Sequence, residues 1–298
     1  MQAWWLDAVC LPENKMWDVL LCEENGKIVA AMPYHFLKKW RFTIILQPQL
    51  TQYSGLWIDY PDDMKLHKRY SFEKKIMNNL IDQLENLNVS FYSQNFHHSF
   101  TNWQPFYWRG FKQTTRYTYI LNNIADIYTI FENFHPRYKQ KIRKSEKYFN
   151  VDFSISPEEF YNFHKTSLLE KGEHITYSEQ LFLSILREVN KREKGKIIAI
   201  RNNNGKLLSA VFFVWDTNYG YNLITAREIT DSSNDSSIFM IWKTINYLID
   251  KTKNYDFEGS MIEGVALRNQ QFGTEQIPYF NISKSNSNIL NLLSKLKK

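Results

Sequence analysis

The residues best suited to chemistry lie near the end of the chain, in Tyr255-Asp256-Phe257-Glu258-Gly259-Ser260, followed by Glu263, Arg268 and Gln271-Phe272-Gly273. Asp256 and Glu258 are two residues apart, so an extended strand would point both carboxylates to one face. Carboxylates that share a partly closed site raise one another's proton affinity, which suits base chemistry near neutral pH. Glu258 and Glu263 are the candidate bases, with Asp256 as the second member of the pair. Arg268, five residues after Glu263, is a candidate for holding an anionic group. Asp256 and Glu258 fit equally well as charge partners for a basic helix elsewhere in the chain.

That basic helix is written at His135-Pro136-Arg137-Tyr138-Lys139-Gln140-Lys141-Ile142-Arg143-Lys144-Ser145-Glu146-Lys147-Tyr148-Phe149, where much of the net charge of +6 is gathered. Pro136 suits the first helical turn, where its missing N–H costs nothing. Helical spacing sets Tyr138, Ile142 and Phe149 near one seam and Arg137, Lys141 and Lys144 on a neighbouring stripe. The seam can dock while the stripe faces a phosphate, a carboxylate or a nucleic-acid backbone; the alternative is a solvated basic surface.

Other chemistries find no support. His35, His67, His97, His98, His135, His164 and His174 show no zinc-ligand spacing, so no metal is expected. Cys10 and Cys22, eleven residues apart in the chain between them, make neither a disulfide framework nor a Cys-x-x-Cys site. No Gly-x-Ser-x-Gly and no phosphate-binding Gly-Lys-Ser/Thr loop occurs, so neither a serine nucleophile nor a nucleoside triphosphate is expected. There is no apolar run of about 18 residues and no basic segment followed by an apolar core at the start. A soluble, cytoplasmic protein is expected, with no DNA partner and no more than peripheral contact with a membrane. Met1 to Val9 begins abruptly inside an amphipathic helix, so a few preceding residues are expected to belong to that element.

The elements that must position these residues follow one order twice. In the first half Trp17–Leu21 and Ile28–Met32 read as strands joined by Asn25-Gly26, a two-residue turn that needs positive φ. In the second half Lys196–Ile200 and Leu207–Val214 flank Asn204-Gly205. Helical spacing follows at Phe72–Leu84 and Ile238–Ile249, then short strands at Ser90–Ser93 and Tyr255–Glu258. Gly110-Phe111 and Phe272-Gly273 precede the last strands, Tyr117–Ile120 and Tyr279–Ile282. Between the copies lie a strand at Val151–Ile155, the capping box Ser156-Pro157-Glu158-Glu159, and helices over Phe160–Leu169 and Glu179–Arg192. This order gives an α+β fold rather than an alternating βα one. At 298 residues the chain exceeds one ordinary core, which predicts two lobes of about 120 to 180 residues, here 1–121 and 122–298. Aromatics at 16% supply bulk for two cores and a surplus of Tyr and Trp for a ligand cleft.

This order, the R-x-x-x-x-I-R-K-x-E-K helix from Arg137 to Lys147, and Asp256-Phe257-Glu258-Gly259 leading to Phe272-Gly273 resemble the FemABX-type branch of the GNAT acyltransferase superfamily. The resemblance spans nearly the whole chain, most closely from about Arg137 to Ile282. It implies two tandem GNAT-like lobes with mixed sheets flanked by helices, the first structural or acceptor-binding and the second catalytic and donor-binding. It also implies attack by an amine on a thioester or ester, with Glu258 in a strand beside the cleft. The donor would be an acyl-CoA or a charged tRNA, and the acceptor an amino sugar or peptide amine of bacterial envelope polysaccharide or peptidoglycan. Ordinary GNAT enzymes hold the CoA pyrophosphate on a glycine-rich loop. The matching segment here, Thr225 to Ser237, has no glycine. It offers Arg227 to a phosphate and opposes it with Asp231 and Asp235, and Tyr60-Pro61-Asp62-Asp63 is acidic at the equivalent place in the first lobe. Three functions follow as expectations: an N-acyltransferase of envelope biosynthesis, an aminoacyl-tRNA-dependent branching enzyme, or an inactive glycan- or peptide-binding protein.

Overall fold

The computed structural model describes residues 2–229, 231–259 and 261–287. The fold is α+β, with mixed sheets flanked by helices, and the chain forms two compact units, Met1–Arg116 with Pro278–Lys298, and Tyr117–Ile277.

In the first unit, helix α1 (Ala3–Cys10) precedes the antiparallel pair β1 (Met16–Glu24) and β2 (Lys27–Lys39). Their turn is the expected one, with Asn25 and Gly26 both at positive φ. Strand β3 (Phe42–Leu46) runs antiparallel to β2, and the short β4 (Trp57–Ile58) pairs with β2 at Ala30 and Ala31. Helix α2 (Leu66–Asn86) then crosses to β5 (Phe91–Asn95), which lies parallel to β3. On α2 the buried Ile76, Met77, Leu80, Ile81 and Leu84 recur at helical spacing and pack with Met32, Ile45 and Tyr92 of the sheet. Helix α3 (Gln104–Trp108) leads into β6 (Lys112–Leu121).

In the second unit come α4 (Ile127–Glu132), α5 (Pro136–Ser145), β7 (Phe149–Asp152), α6 (Pro157–Leu169) and α7 (Glu179–Lys191). Pro136 opens α5 as expected, and Ser156 caps α6 by accepting from the Glu159 N–H at 3.0 Å. Phe149 does not extend the α5 seam, because the helix ends at Ser145 and Phe149 starts β7. The antiparallel strands β8 (Gly195–Asn202), β9 (Leu207–Trp215) and β10 (Tyr219–Arg227) follow. The turn between β8 and β9 is longer than at Asn25-Gly26. Only Gly205 has positive φ there, and the Asn202 side chain accepts from the N–H groups of Asn204 and Lys206. Strand β9 is buried from Leu208 to Trp215. Ile238, Phe239, Ile241 and Ile245 of α8 (Asp231–Leu248) pack with Val211 and Phe213, while the Phe182 ring of α7 meets the Phe212 ring edge-on, so the two sides of this strand are both covered. After α8, β11 (Asn254–Asp256) pairs parallel with β10, α9 (Glu263–Gln270) follows, and β12 (Glu275–Ser285) closes the described chain.

The doubled order is therefore present as hairpin, third antiparallel strand, helix, parallel strand, short helix and closing strand. The closing strands do not stay with their own halves. Ile120 and Leu121 of β6 pair with Asp256 and Tyr255 of β11, whereas Asn281 to Ser285 of β12 pair with Asn95 to Phe91 of β5. The units are thus not the contiguous stretches 1–121 and 122–298 of the sequence reading, because the final strand returns to the unit built from the first half.

Candidate active site

The parallel pairing of β10 with β11 lasts only from Tyr219–Tyr221 against Asn254–Asp256. Beyond it β10 continues to Arg227 along β9, with an irregular register between Tyr221 and Ile224, while the chain after Asp256 leaves the ladder. Between the two diverging segments opens a cavity of about 280 Å³. Its walls include Thr225 and Arg227 of β10, Glu258, Arg268 of α9, and Lys171 just past the end of α6.

Glu258 is on that wall, but the strand geometry expected for it does not hold. β11 ends at Asp256, and Glu258 has φ +55, followed by Gly259 at φ +39. Asp256 is fully buried, where its Oδ1 accepts from the Thr118 hydroxyl and from the Glu258 backbone N–H at 2.7 Å. The two carboxylates therefore do not share a strand face, and Asp256 works from inside the sheet, holding the turn that presents Glu258. Burial first, and then the Asp256 charge, push the Glu258 carboxyl well above the ordinary carboxylate range. A residue other than glycine at positive φ next to a cavity is the kind of local strain that clusters at functional sites. Gly259 is required there, since an added Cβ would stand 2.2 Å from the Tyr117 carbonyl oxygen. Glu263 is brought elsewhere. It is the exposed first residue of α9, where a carboxylate suits the helix terminus, and it does not line the cavity.

Three cations line the same cavity as this carboxyl. Among the described residues Arg268 donates to its neighbour's Asn269 Oδ1, through Nε at 3.3 Å and Nη2 at 3.1 Å, and no carboxylate pairs with it. Burial and the nearby Arg227 push its pKa down against the pull of Tyr138 and Tyr255. Lys171, which no local pattern in the sequence marks, is drawn in by its Nζ donating to Ser167 Oγ at 3.2 Å. The same Ser167 hydroxyl donates to the Arg227 carbonyl at 2.7 Å, so one side chain of α6 bonds the Lys171 ammonium and ties α6 to the backbone of β10. Burial and Arg227 lower the Lys171 pKa. Lys171 is exposed, whereas Arg268 is partly buried with no carboxylate partner among the described residues, an environment that suits an anionic ligand.

A second cavity of about 320 Å³ lies between α5 and α9, lined by Arg137, Tyr138, Lys141, Arg268 and Gln271 among others. Arg137, Lys141 and Arg268 are thus brought together, and Arg268 borders the two cavities. Lys144 is exposed on the same helix and lines neither. Lys141 pairs with Asp235 of α8, so the repulsion expected from Asp235 is already compensated; the Asp231 side chain lies outside the described residues. Thr225, Ala226 and Arg227 belong to β10 rather than to a loop. The Phe272-Gly273 motif is structural. The Phe272 ring packs edge-on to Tyr138 at 5.0 Å and Phe134 at 5.2 Å, and a Cβ on Gly273 would lie 2.6 Å from the Asn133 carbonyl oxygen. This close approach holds α9, and with it Arg268, against α5.

Among the described residues no group of three His, Cys, Asp or Glu side chains could hold a metal ion, and no helix is long and apolar enough to cross a membrane. No protein-family model matches the sequence, and a search of curated proteins returns no match. Solved structures do match. The crystal structure of FemX superposes with a TM-score of 0.71 at 12% identity, over 93% of this chain and 90% of that one. The C-terminal domain of a protein described as a lysylphosphatidylglycerol synthetase from Agrobacterium fabrum gives 0.61 at 7% identity, over 100% and 92%. A tandem GNAT protein from the clavulanic acid biosynthesis pathway gives 0.54 at 10% identity, over 95% and 94%. With its doubled strand and helix order and these likenesses along nearly its whole length, the chain has the FemABX-like tandem GNAT fold.

Proposed function

We propose that the chain is an amide-forming acyl- or aminoacyltransferase acting on an amine of an amino sugar or peptide used in envelope biosynthesis. The reading is carried by the opening between β10 and β11, whose walls include Glu258, with its raised pKa, together with Arg227, Arg268 and Lys171. The fold likeness to FemX and to the lysylphosphatidylglycerol synthetase domain supports it. In the transfer a C–N bond forms, a C–S or C–O bond breaks, and one proton passes from the acceptor amine to the leaving group. A carboxyl poised well above its usual range can take and return that proton near neutral pH. The guanidinium groups can hold an anionic part of donor or acceptor and offset charge that develops on the carbonyl oxygen.

An aminoacyl-tRNA donor is the second reading, and one observation favours it over acyl-CoA. The segment from β10 into α8 has no glycine with which to cradle a pyrophosphate, whereas Arg137 of α5 lines a second cavity that Arg268 also borders. Both donors are cytoplasmic compounds, which is where we place the enzyme. Turnover is to be measured with acetyl-CoA and charged tRNA against UDP-amino sugars and stem peptides. With the productive pair, Glu258→Gln should lower kcat and kcat/KM together. Full activity of that variant would remove Glu258 from the chemistry, and ligand-raised melting points without turnover on any pair would identify a binding protein instead.

A further inference from the structure

The turn joining β2 to β3 pairs Lys39 with Phe42 and so leaves Trp40 and Arg41 as a two-residue hairpin loop. Trp40 stands at φ +58 and is 95% exposed. Such positions belong to Gly, Asn or Asp, because a side chain with a Cβ meets steric resistance at positive φ. The chain follows that rule at Asn25-Gly26. At Trp40 it places its largest apolar side chain in a strained backbone and in water, two costs for which the fold of this unit returns no packing.

The sequence around the tip is one-signed. Lys38, Lys39 and Arg41 flank the indole in sequence, and no Asp or Glu occurs from Ile28 through Ile58. Among the described residues Lys38 and Arg41 form no ion pair; their charges lie 6.0 Å and 5.4 Å from the rings of their neighbours Phe36 and Phe42. An amphipathic aromatic ring at the apex with cations around it matches the interface of an anionic bilayer, where the ring settles at headgroup depth and the long basic side chains stay with the phosphates.

We propose that the β2–β3 hairpin tip, Lys38 to Arg41, docks the protein on anionic phospholipid surfaces. This goes beyond the transfer chemistry and does not depend on Glu258 or its cavity. The test is co-sedimentation of the full chain with vesicles of phosphatidylglycerol and phosphatidylcholine, with pure phosphatidylcholine vesicles alongside. Trp40→Asn should weaken partitioning about tenfold or more, the worth of burying an aromatic ring. Lys38→Gln and Arg41→Gln should each cost about fivefold, and binding should fade at high salt. Because Asn tolerates positive φ, Trp40→Asn should keep or raise the melting temperature, so lost binding cannot be ascribed to unfolding. Sedimentation that ignores lipid charge, a Trp40→Asn variant that binds like the parent, or a Trp40-dependent dimer in size-exclusion chromatography without vesicle binding would each overturn the proposal.

Discussion

Replacing Gly259 by Ala probes the turn that presents Glu258. The new methyl would stand 2.2 Å from the Tyr117 carbonyl oxygen and 2.8 Å from Thr118 Cα. Both are backbone atoms of β6, so no rotamer change relieves the overlap, and strand and turn must separate. The left-handed conformation at φ +39 costs Ala about 1 kcal/mol. Separation also weakens the Phe257 N–H bond to the Tyr119 carbonyl, 3.0 Å, and the Glu258 N–H bond to the Asp256 carboxylate, 2.7 Å. These are worth about 1 and about 1.5 kcal/mol respectively. The expected loss is therefore about 3 to 4 kcal/mol. Gly205→Ala is the matched control. Its φ is +79 but nothing lies within 4 Å of an added Cβ, so it should lose only the conformational cost of about 1 kcal/mol. Urea unfolding followed by circular dichroism measures both, and turnover of Gly259→Ala at low temperature, where it stays folded, should fall as Glu258 is displaced. A Gly259→Ala loss within experimental error of the Gly205→Ala loss would refute the close-packed turn.

Arg268→Met removes a partly buried charge that has no carboxylate partner among the described residues, so stability should hold or rise while binding of the anionic ligand proposed for the cavity is lost; a drop in melting temperature with binding intact would make Arg268 structural. His164, buried and stacked beside Phe160 and Tyr177 with its Nδ1 unbonded, has its pKa lowered from 6.5 to about 4, chiefly by burial. The folded state resists protonating it, so stability should decline as pH falls from about 6.5 through about 4, by about 3 kcal/mol in all. His164→Phe should flatten that decline, as read from urea midpoints across the range, and an unchanged slope would contradict it. Glu258 has the opposite sign, since its folded pKa is raised. Its contribution is full below the ordinary carboxyl range and is lost as pH rises, so Glu258→Gln should gain on the parent towards alkaline pH, and a gain confined to acid would be the wrong sign.

What was legible in the sequence was local. Asn25-Gly26, Pro136 and the Ser156 cap each dictate their own turn or helix start through nearest-neighbour sterics and hydrogen bonds, and each is where its residues put it. The basic helix was legible as a stripe, and its Arg137 and Lys141 meet Arg268 because Phe272 and Gly273 hold α9 close. The face shared by Asp256 and Glu258 was not, because the period of two holds only while a strand continues. The Thr118 hydroxyl and the Glu258 N–H, by occupying Asp256, end that strand. Lys171 was hidden for a related reason. Its place depends on Ser167 bonding Arg227, sixty positions away in the chain, a contact that no periodicity announces. Glu263 carried the right residue type, but its position at the start of α9 turns it to solvent.

The exchange of closing strands bears on the order in which the protein is made. A ribosome releases every strand of the second unit by the time Ile277 has emerged, but the first unit still lacks β12. Until residues 281–285 appear, β5 has β3 on one side and an open row of N–H and C=O groups on the other. Domains of a nascent chain usually mature from the N-terminus onward. Here the unit begun first is completed last, so the β5 edge stays open until the last described strand has emerged.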